Sequence, residues 1–353
     1  MIWTTWRQHR TTILAAVGAI LALAVVALVC ASIDRRDAGQ QPFGYHFGCT
    51  NVRDLECLAG SGLTAITLVT TLLPVVLGVL VGVTVFSRDI ERGTHVLGLT
   101  QSVGRTRWYW SRVLVVFVPV SLAMTLLGAA LEWTRASRIA SNYAYISRFT
   151  WSGPSRLTYP LFQSTGLVAG VYTVLGLVLG SCLALLIRHT LGAMAVTLVA
   201  TTALLVGFQW VARPHYASAT VEAQPNLSRG PSVPHTSDVG GGIWWLSSGF
   251  VDSEGRDVEF DYSKCGQIGG DADWGQRADE TLAEYRARED AINADMDRQY
   301  TACQRAQGVD HFEYRYHPDS LFRRFQVTEA ALALALSALL LIPSLWALRR
   351  LRP

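Results

Sequence analysis

The sequence predicts an all-α membrane protein of six transmembrane helices, both termini cytoplasmic, with a small mixed extracytoplasmic domain between helices 5 and 6. Three observations carry this expectation. Half of the 353 residues are hydrophobic and only 16% are charged, which does not describe a soluble surface. Six stretches each hold about 20 apolar residues, the length a helix needs to cross a ~30 Å hydrocarbon core, and none carries a charge away from its ends. Basic residues crowd the short connections on one side, which marks that side as cytoplasmic.

Residues 1–11 interleave Ile2, Trp3 and Trp6 with Arg7, His9 and Arg10, the pattern of an amphipathic helix lying on the inner membrane surface. Five spans follow within residues 12–211, at about 12–32, 63–86, 113–131, 164–187 and 190–211. The first has an apolar core too long for a signal peptide and no A-x-A-like cleavage site, so an uncleaved helix is expected. Residues 33–62 and 132–162 form outer loops and residues 87–112 an inner one. Only Arg188, His189 and Thr190 separate the fourth and fifth spans, which therefore form a tight antiparallel hairpin.

Residues 212–327 are too many for a plain connector and should form the outer domain. It opens with Pro214, Pro225, Pro231, Pro234 and glycines 240–242, all loop signals. An aromatic segment, Ile243-Trp244-Trp245-Leu246, precedes a strand-like alternation of Val258, Phe260 and Tyr262. A charged helix is expected from Trp274 to about Ala306, with Leu282, Tyr285, Ile292, Met296 and Tyr300 as its apolar stripe. Residues 328–353 supply the sixth span and a cytoplasmic tail.

Eleven Lys or Arg residues fall in the inner segments, against which only Asp89 and Glu91 are acidic, a balance suited to anionic membrane lipids. The 132–162 loop, with four arginines facing Glu132, points the other way and is outvoted. Cys49, Cys57, Cys265 and Cys303 all lie in outer loops, where disulfides persist. Four cysteines allow three pairings; Cys49 with Cys57 and Cys265 with Cys303 are favoured because each pair shares a loop, with four free thiols as the alternative.

The net charge of +3 provides no field to attract nucleic acid. The single lysine, Lys264, sits in Ser-Lys-Cys, so the chain has no phosphate-binding loop, and any ATP that drives it binds to another chain. No catalytic constellation, cofactor site or metal site is predicted: His311, Glu313 and His317 lack the spacing of a zinc motif. Glu329 sits at the outer edge of the sixth span, and acids deeper in the spans are missing, which disfavours ion-coupled transport. Gly78 and Gly82, Gly166 and Gly170, and Gly176 and Gly180 form small faces for close helix approach, while Pro74, Pro119 and Pro343 are positioned to kink their helices.

The inner loop is the most informative stretch. A charged helix can run to Arg92, stop at Gly93, which tolerates the left-handed conformation, and restart with Thr94 as cap. The residues F-S-R-D-I-E-R-G-T-H at 86–95, T-Q-S-V at 100–103 and R-x-R-W at 105–108 resemble the ABC-2 type transporter permeases, particularly an actinobacterial-like group. W-T-T-W-R-Q-H-R near the start and Y-H-P-D-S-L-F-R-R-F-Q at 316–326 add to the resemblance. It implies that this loop carries a coupling helix docking on a separate ABC ATP-binding subunit through Arg88, Asp89, Glu91, Arg92, Gly93, Thr94, His95, Gln101, Arg105 and Arg107. ATP and Mg would be held by that partner, and a second permease copy or a paralogue would complete a dimer in a bacterial plasma membrane. The cargo implied is amphipathic (drug, lipid, peptide or glycan), on a path past Phe208 and Trp210. The rival reading is a sensor or assembly factor that binds a ligand through its outer domain and signals through an ATPase.

Overall fold

The computed structural model describes residues 2–36, 55–91, 93, 104–135, 155–187, 189–224, 242–270 and 272–350. The chain divides into two compact units, Met1–Ala217 with Asp319–Pro353, and Ser218–Pro318. Among its described residues the first unit contains six helices long and apolar enough to cross a membrane: Trp3–Ile33, Leu58–Glu91, Arg105–Thr134, Gly166–Ile187, Thr190–His215 and Asp319–Arg349.

The first span is α1, Ile2–Arg36. The second joins α2 (Leu55–Leu77) and α3 (Thr84–Glu91) through a π-helical segment, Gly78–Val83. The third joins α4 (Arg105–Arg112) and α5 (Val118–Arg135) through a second π-helical segment, Val113–Phe117. The fourth is α6 (Gly166–Ile187), and the fifth is α7 (Thr190–Gly207), extended by a π-helical segment, Phe208–Ala212. The sixth is α9, Phe322–Arg349.

The second and third spans begin earlier than expected, at Leu58 and Arg105, and two further boundaries differ for clear reasons. The interfacial helix expected at residues 1–11 is the opening of α1, which continues unbroken into the span. No glycine precedes Gly18 and no proline lies within α1, so nothing stops it. Its 35 residues measure about 52 Å, more than a hydrocarbon core, and Trp3 and Trp6 stay exposed near its start. The sixth helix begins at Phe322 and not near 328, because the polar residues that end the hydropathy signal there, Gln326 and Glu329, are buried on partners.

The fourth span is the hub, packing against the second, third, fifth and sixth, and is largely buried, whereas the first, fifth and sixth are mostly exposed. Glycines allow this. A Cβ at Gly78 would stand 2.7 Å from the Gly176 carbonyl oxygen, and one at Gly176 would stand 2.5 Å from that of Pro74, so two backbones touch where any side chain would separate them. Buried hydroxyls line the inner faces and return their protons to their own helix, as in Thr67 to the Leu63 carbonyl (2.7 Å) and Thr197 to that of Ala193 (2.7 Å). Leu14, Leu122, Val199 and Ile342 are more than half exposed. Polar groups inward and large apolar ones outward is the arrangement stable in a hydrocarbon solvent.

The second unit is a four-stranded antiparallel sheet in the order β1-β4-β2-β3, with β1 Thr220–Gln224, β2 Ile243–Val251, β3 Asp257–Val258 and β4 His311–Pro318, and the helix α8, Leu282–Ala306. The aromatic segment at 243–246 opens β2. Of the alternation at 258–262 only Val258 is paired, because Asp261 accepts from Ser263 N and turns the chain into a 3-10 helix. Thr281 and Glu284 form a reciprocal capping box that starts α8. Ile292, Met296 and Tyr300 of the expected stripe are partly buried, whereas Leu282, in the first turn, is exposed. On β4, Phe312, Tyr314 and Tyr316 enter the core with Ile243, Phe250 and Phe260. His311, Glu313 and Arg315 alternate with them, and no metal-binding group forms among the described residues.

Candidate functional site

Two polar assemblies occupy opposite ends of the six-helix unit. The first is the elbow between the second and third spans. Its arms, α3 and α4, are eight residues each, and each meets its span at a π-helical segment. Arg112, 5% exposed, binds the arms together: it ion-pairs with Asp89, donates to the Val85 carbonyl (2.7 Å) and lies over the Trp108 ring at 4.3 Å. Phe86 stacks on Tyr109 at 5.2 Å and meets Trp108 edge-on at 5.5 Å, which fills the space between the arms. Past Glu91 the helix ends and Gly93 takes φ +67, a conformation that costs glycine little.

The arms also hold the ends of other spans. Glu91 accepts from the Thr190 backbone N–H (2.7 Å), placing a carboxylate at the N-terminus of α7, where the helix dipole favours it. The His189 ring caps the same helix, accepting from Gly192 N. Arg105 donates to the Arg349 carbonyl (3.0 Å), setting a cation at the C-terminus of α9. Arg112 reaches Gln8 of α1 at 3.5 Å. One elbow is thus bonded to the first, fifth and sixth spans as well as to its own two.

Arg88 and Arg107 are exposed on these arms, while Arg92, Thr94, His95 and Gln101 lie outside the described residues. Phe208 packs against Tyr172 at 5.9 Å, and Trp210 is 65% exposed. Cys265 and Cys303 are disulfide-bonded; the Cys49–Cys57 pairing falls outside the described residues.

The second assembly escaped the sequence reading. Arg213 and Glu329, both fully buried, form a bidentate pair, with Nε to Oε2 at 3.0 Å and Nη2 to Oε1 at 2.8 Å. Tyr172 donates to the same carboxylate, and the guanidinium lies 4.0 Å over the Phe162 ring. Its remaining arm donates to the Leu157 carbonyl at 3.2 Å. Counting 1.5 Å per residue, Glu329 stands about 30 Å along α9 from Arg349, and hence at the end of the bundle remote from the elbow. The signal available in the sequence was an arginine just past the fifth span and an acid just inside the sixth, on one side of the membrane. Hydropathy leaves Glu329 at an edge and Arg213 outside its span because it weighs each charge alone.

Six apolar helices among the described residues, with polar groups turned inward, define a multi-pass membrane protein. The chain belongs to the ABC-2 membrane transporter related family, whose family model matches residues 11–213, the first five spans with the elbow. No curated protein and no solved structure matches the chain.

Proposed function

We propose that this chain is the membrane-spanning subunit of an ATP-driven ABC exporter, powered by a separate ATPase that docks on the elbow. The observation that carries the reading is the bonding of the elbow: a push on α3 and α4 would be passed to the ends of the first, fifth and sixth spans through Gln8, Thr190 and Arg349. Arg88 and Arg107, exposed on the arms, would meet the ATPase, with residues 92–103 between them. ATP and Mg bind to that partner.

The elbow end faces the cytoplasm in this reading, with both termini, and the second unit faces the outside. The Cys265–Cys303 disulfide supports the orientation, because such bonds persist in oxidising compartments. The apolar faces of the first, fifth and sixth spans suit lipid and a second permease copy or paralogue. The cargo is an amphipathic molecule moved across a bacterial plasma membrane.

The test is a detergent pull-down of the tagged chain with and without Gly93→Pro. Proline cannot adopt φ +67. Recovery of a Walker-motif ATPase that the variant loses is the expected result. A complex without an ATPase, together with ligand binding by the second unit, overturns the proposal in favour of a sensor or assembly factor.

A further inference from the structure

Residues 155–165 run between the third and fourth spans without forming a span of their own, yet they are among the most buried in the unit. Leu157, Phe162 and Ser164 are 0% exposed, and Ser155, Leu161 and Thr165 at most 4%. Irregular backbone is tolerated at such depth only if protein groups satisfy it. Part of it is satisfied within the segment, as by Phe162 N on the Thr158 carbonyl (3.1 Å) and Ser164 N on that of Pro160 (3.2 Å), and further bonds come from the fifth and sixth spans. Gln326 donates to the carbonyls of Phe162 (3.0 Å) and Thr165 (3.2 Å) and accepts from Val168 N (3.1 Å). Asp319 accepts from the Ser155 hydroxyl (2.5 Å) and Arg156 N (3.0 Å). Gln163 donates to Gln209 (2.9 Å), and Arg213 holds the Leu157 carbonyl while Glu329 holds Arg213. The single helical turn Leu161–Ser164 packs against α2 and α6. The segment is thus inserted among the second, fourth, fifth and sixth spans at the end remote from the elbow.

The ties to the fifth and sixth spans differ from a packed apolar core in kind. Each is a directional bond to a side chain on the fifth or sixth span, so a relative shift of those helices breaks several at once, and water or a polar cargo group can replace them. Arg213 is central, since its one guanidinium bonds the segment, Glu329 and the Phe162 face together. We propose that residues 155–165 are a strap that closes the outer end of the transport path, and that the Arg213–Glu329 pair is the latch holding it shut. This rests on the ATP-driven export reading and adds to it the element that opens on the outer side: displacement of the fifth and sixth spans by the elbow releases the strap.

Ser164→Cys gives a reporter at a 0% exposed position that needs no change to the latch. The full chain is expressed in its native membrane, intact cells are treated with a membrane-impermeant maleimide, and modification at residue 164 is read by peptide mass. Labelling is expected in energised cells and suppressed on ATP depletion. Adding Glu329→Gln, which removes the charge, should raise labelling about tenfold or more in both states, as expected where charge-assisted bonds hold the closed form. Elution as a single monodisperse species in detergent, with the membrane level of the parent chain, checks that the variants fold. A position 164 silent in energised and depleted cells overturns the strap, even if Glu329→Gln fails to fold. The ATPase pull-down separates the two ideas: ATPase recovered with position 164 silent refutes the strap alone, and no ATPase refutes the reading beneath it.

Discussion

Replacing Glu329 by leucine strands a guanidinium in a site with no access to water. Arg213 loses acceptors at Nε and Nη2, and the Tyr172 hydroxyl loses its acceptor too. Breaking a buried pair by removing one partner costs about 3–5 kcal/mol. Arg213→Met does the same from the other side and also frees the Leu157 carbonyl. If the residues acted independently, the double variant would cost at least about 6 kcal/mol. Removing both charges, however, newly leaves the Leu157 carbonyl and the Tyr172 hydroxyl unsatisfied, at about 1–3 kcal/mol each. The double variant should therefore recover on the order of 3 kcal/mol relative to the sum of the single ones. The assay is SDS-induced unfolding in mixed micelles, followed by tryptophan fluorescence, for the four members of the cycle. Additive costs, within about 0.5 kcal/mol, would refute the claim that the two charges sustain each other.

Gly176→Ala should destabilise by about 1–2 kcal/mol, the overpacking against the Pro74 carbonyl at 2.5 Å outweighing the gain in helix propensity, whereas Gly18→Ala, with nothing within 4 Å, should be neutral or stabilising by up to about 1 kcal/mol; the same unfolding assay reads both. Glu91→Arg sets a cation at the N-terminus of α7 and should cost about 1 kcal/mol without impairing membrane insertion, which separates the cap from any loss of ATPase recovery. Cys303→Ser opens a link between residues 38 apart and should cost the second unit about 4 kcal/mol on the chain-entropy account, seen as proteolysis within residues 218–318 of the full chain. The second unit should also weaken at both pH extremes. Bonds to Asp310 and Glu313 raise the His311 pKa above its ordinary 6.5, so its contribution is full below that value and is lost as pH rises through the elevated one. The Arg288 bond lowers Glu280 from 4.5 to about 2, so its contribution is present above 4.5 and is lost as pH falls toward 2. His311→Asn should flatten only the alkaline limb of melting temperature against pH, and Glu280→Gln only the acid limb.

What the sequence determined by itself follows from local chemistry. Six helices were legible because a span must satisfy its own backbone and bury no charge, and both requirements are written in consecutive residues. The glycine pairs, the stop at Gly93 and the Cys265–Cys303 bond were legible for similar reasons: each depends on a short spacing or on the chemistry of one residue. The tertiary structure alone decided what the charges do. Asp89 was read as a group offered to a partner protein, yet it is bonded to Arg112, and Glu91 caps a helix 99 residues further on. Glu329 is an edge charge by its sequence and Arg213, 116 residues away, has no signal of its own, until the fold places them face to face and removes water from both. A charge is too costly to bury alone and affordable only beside its opposite, so its role depends on a partner that chain order does not name. The same holds for the segment 155–165: its own residues give it the character of a loop, and side chains on the fifth and sixth spans make it part of the interior.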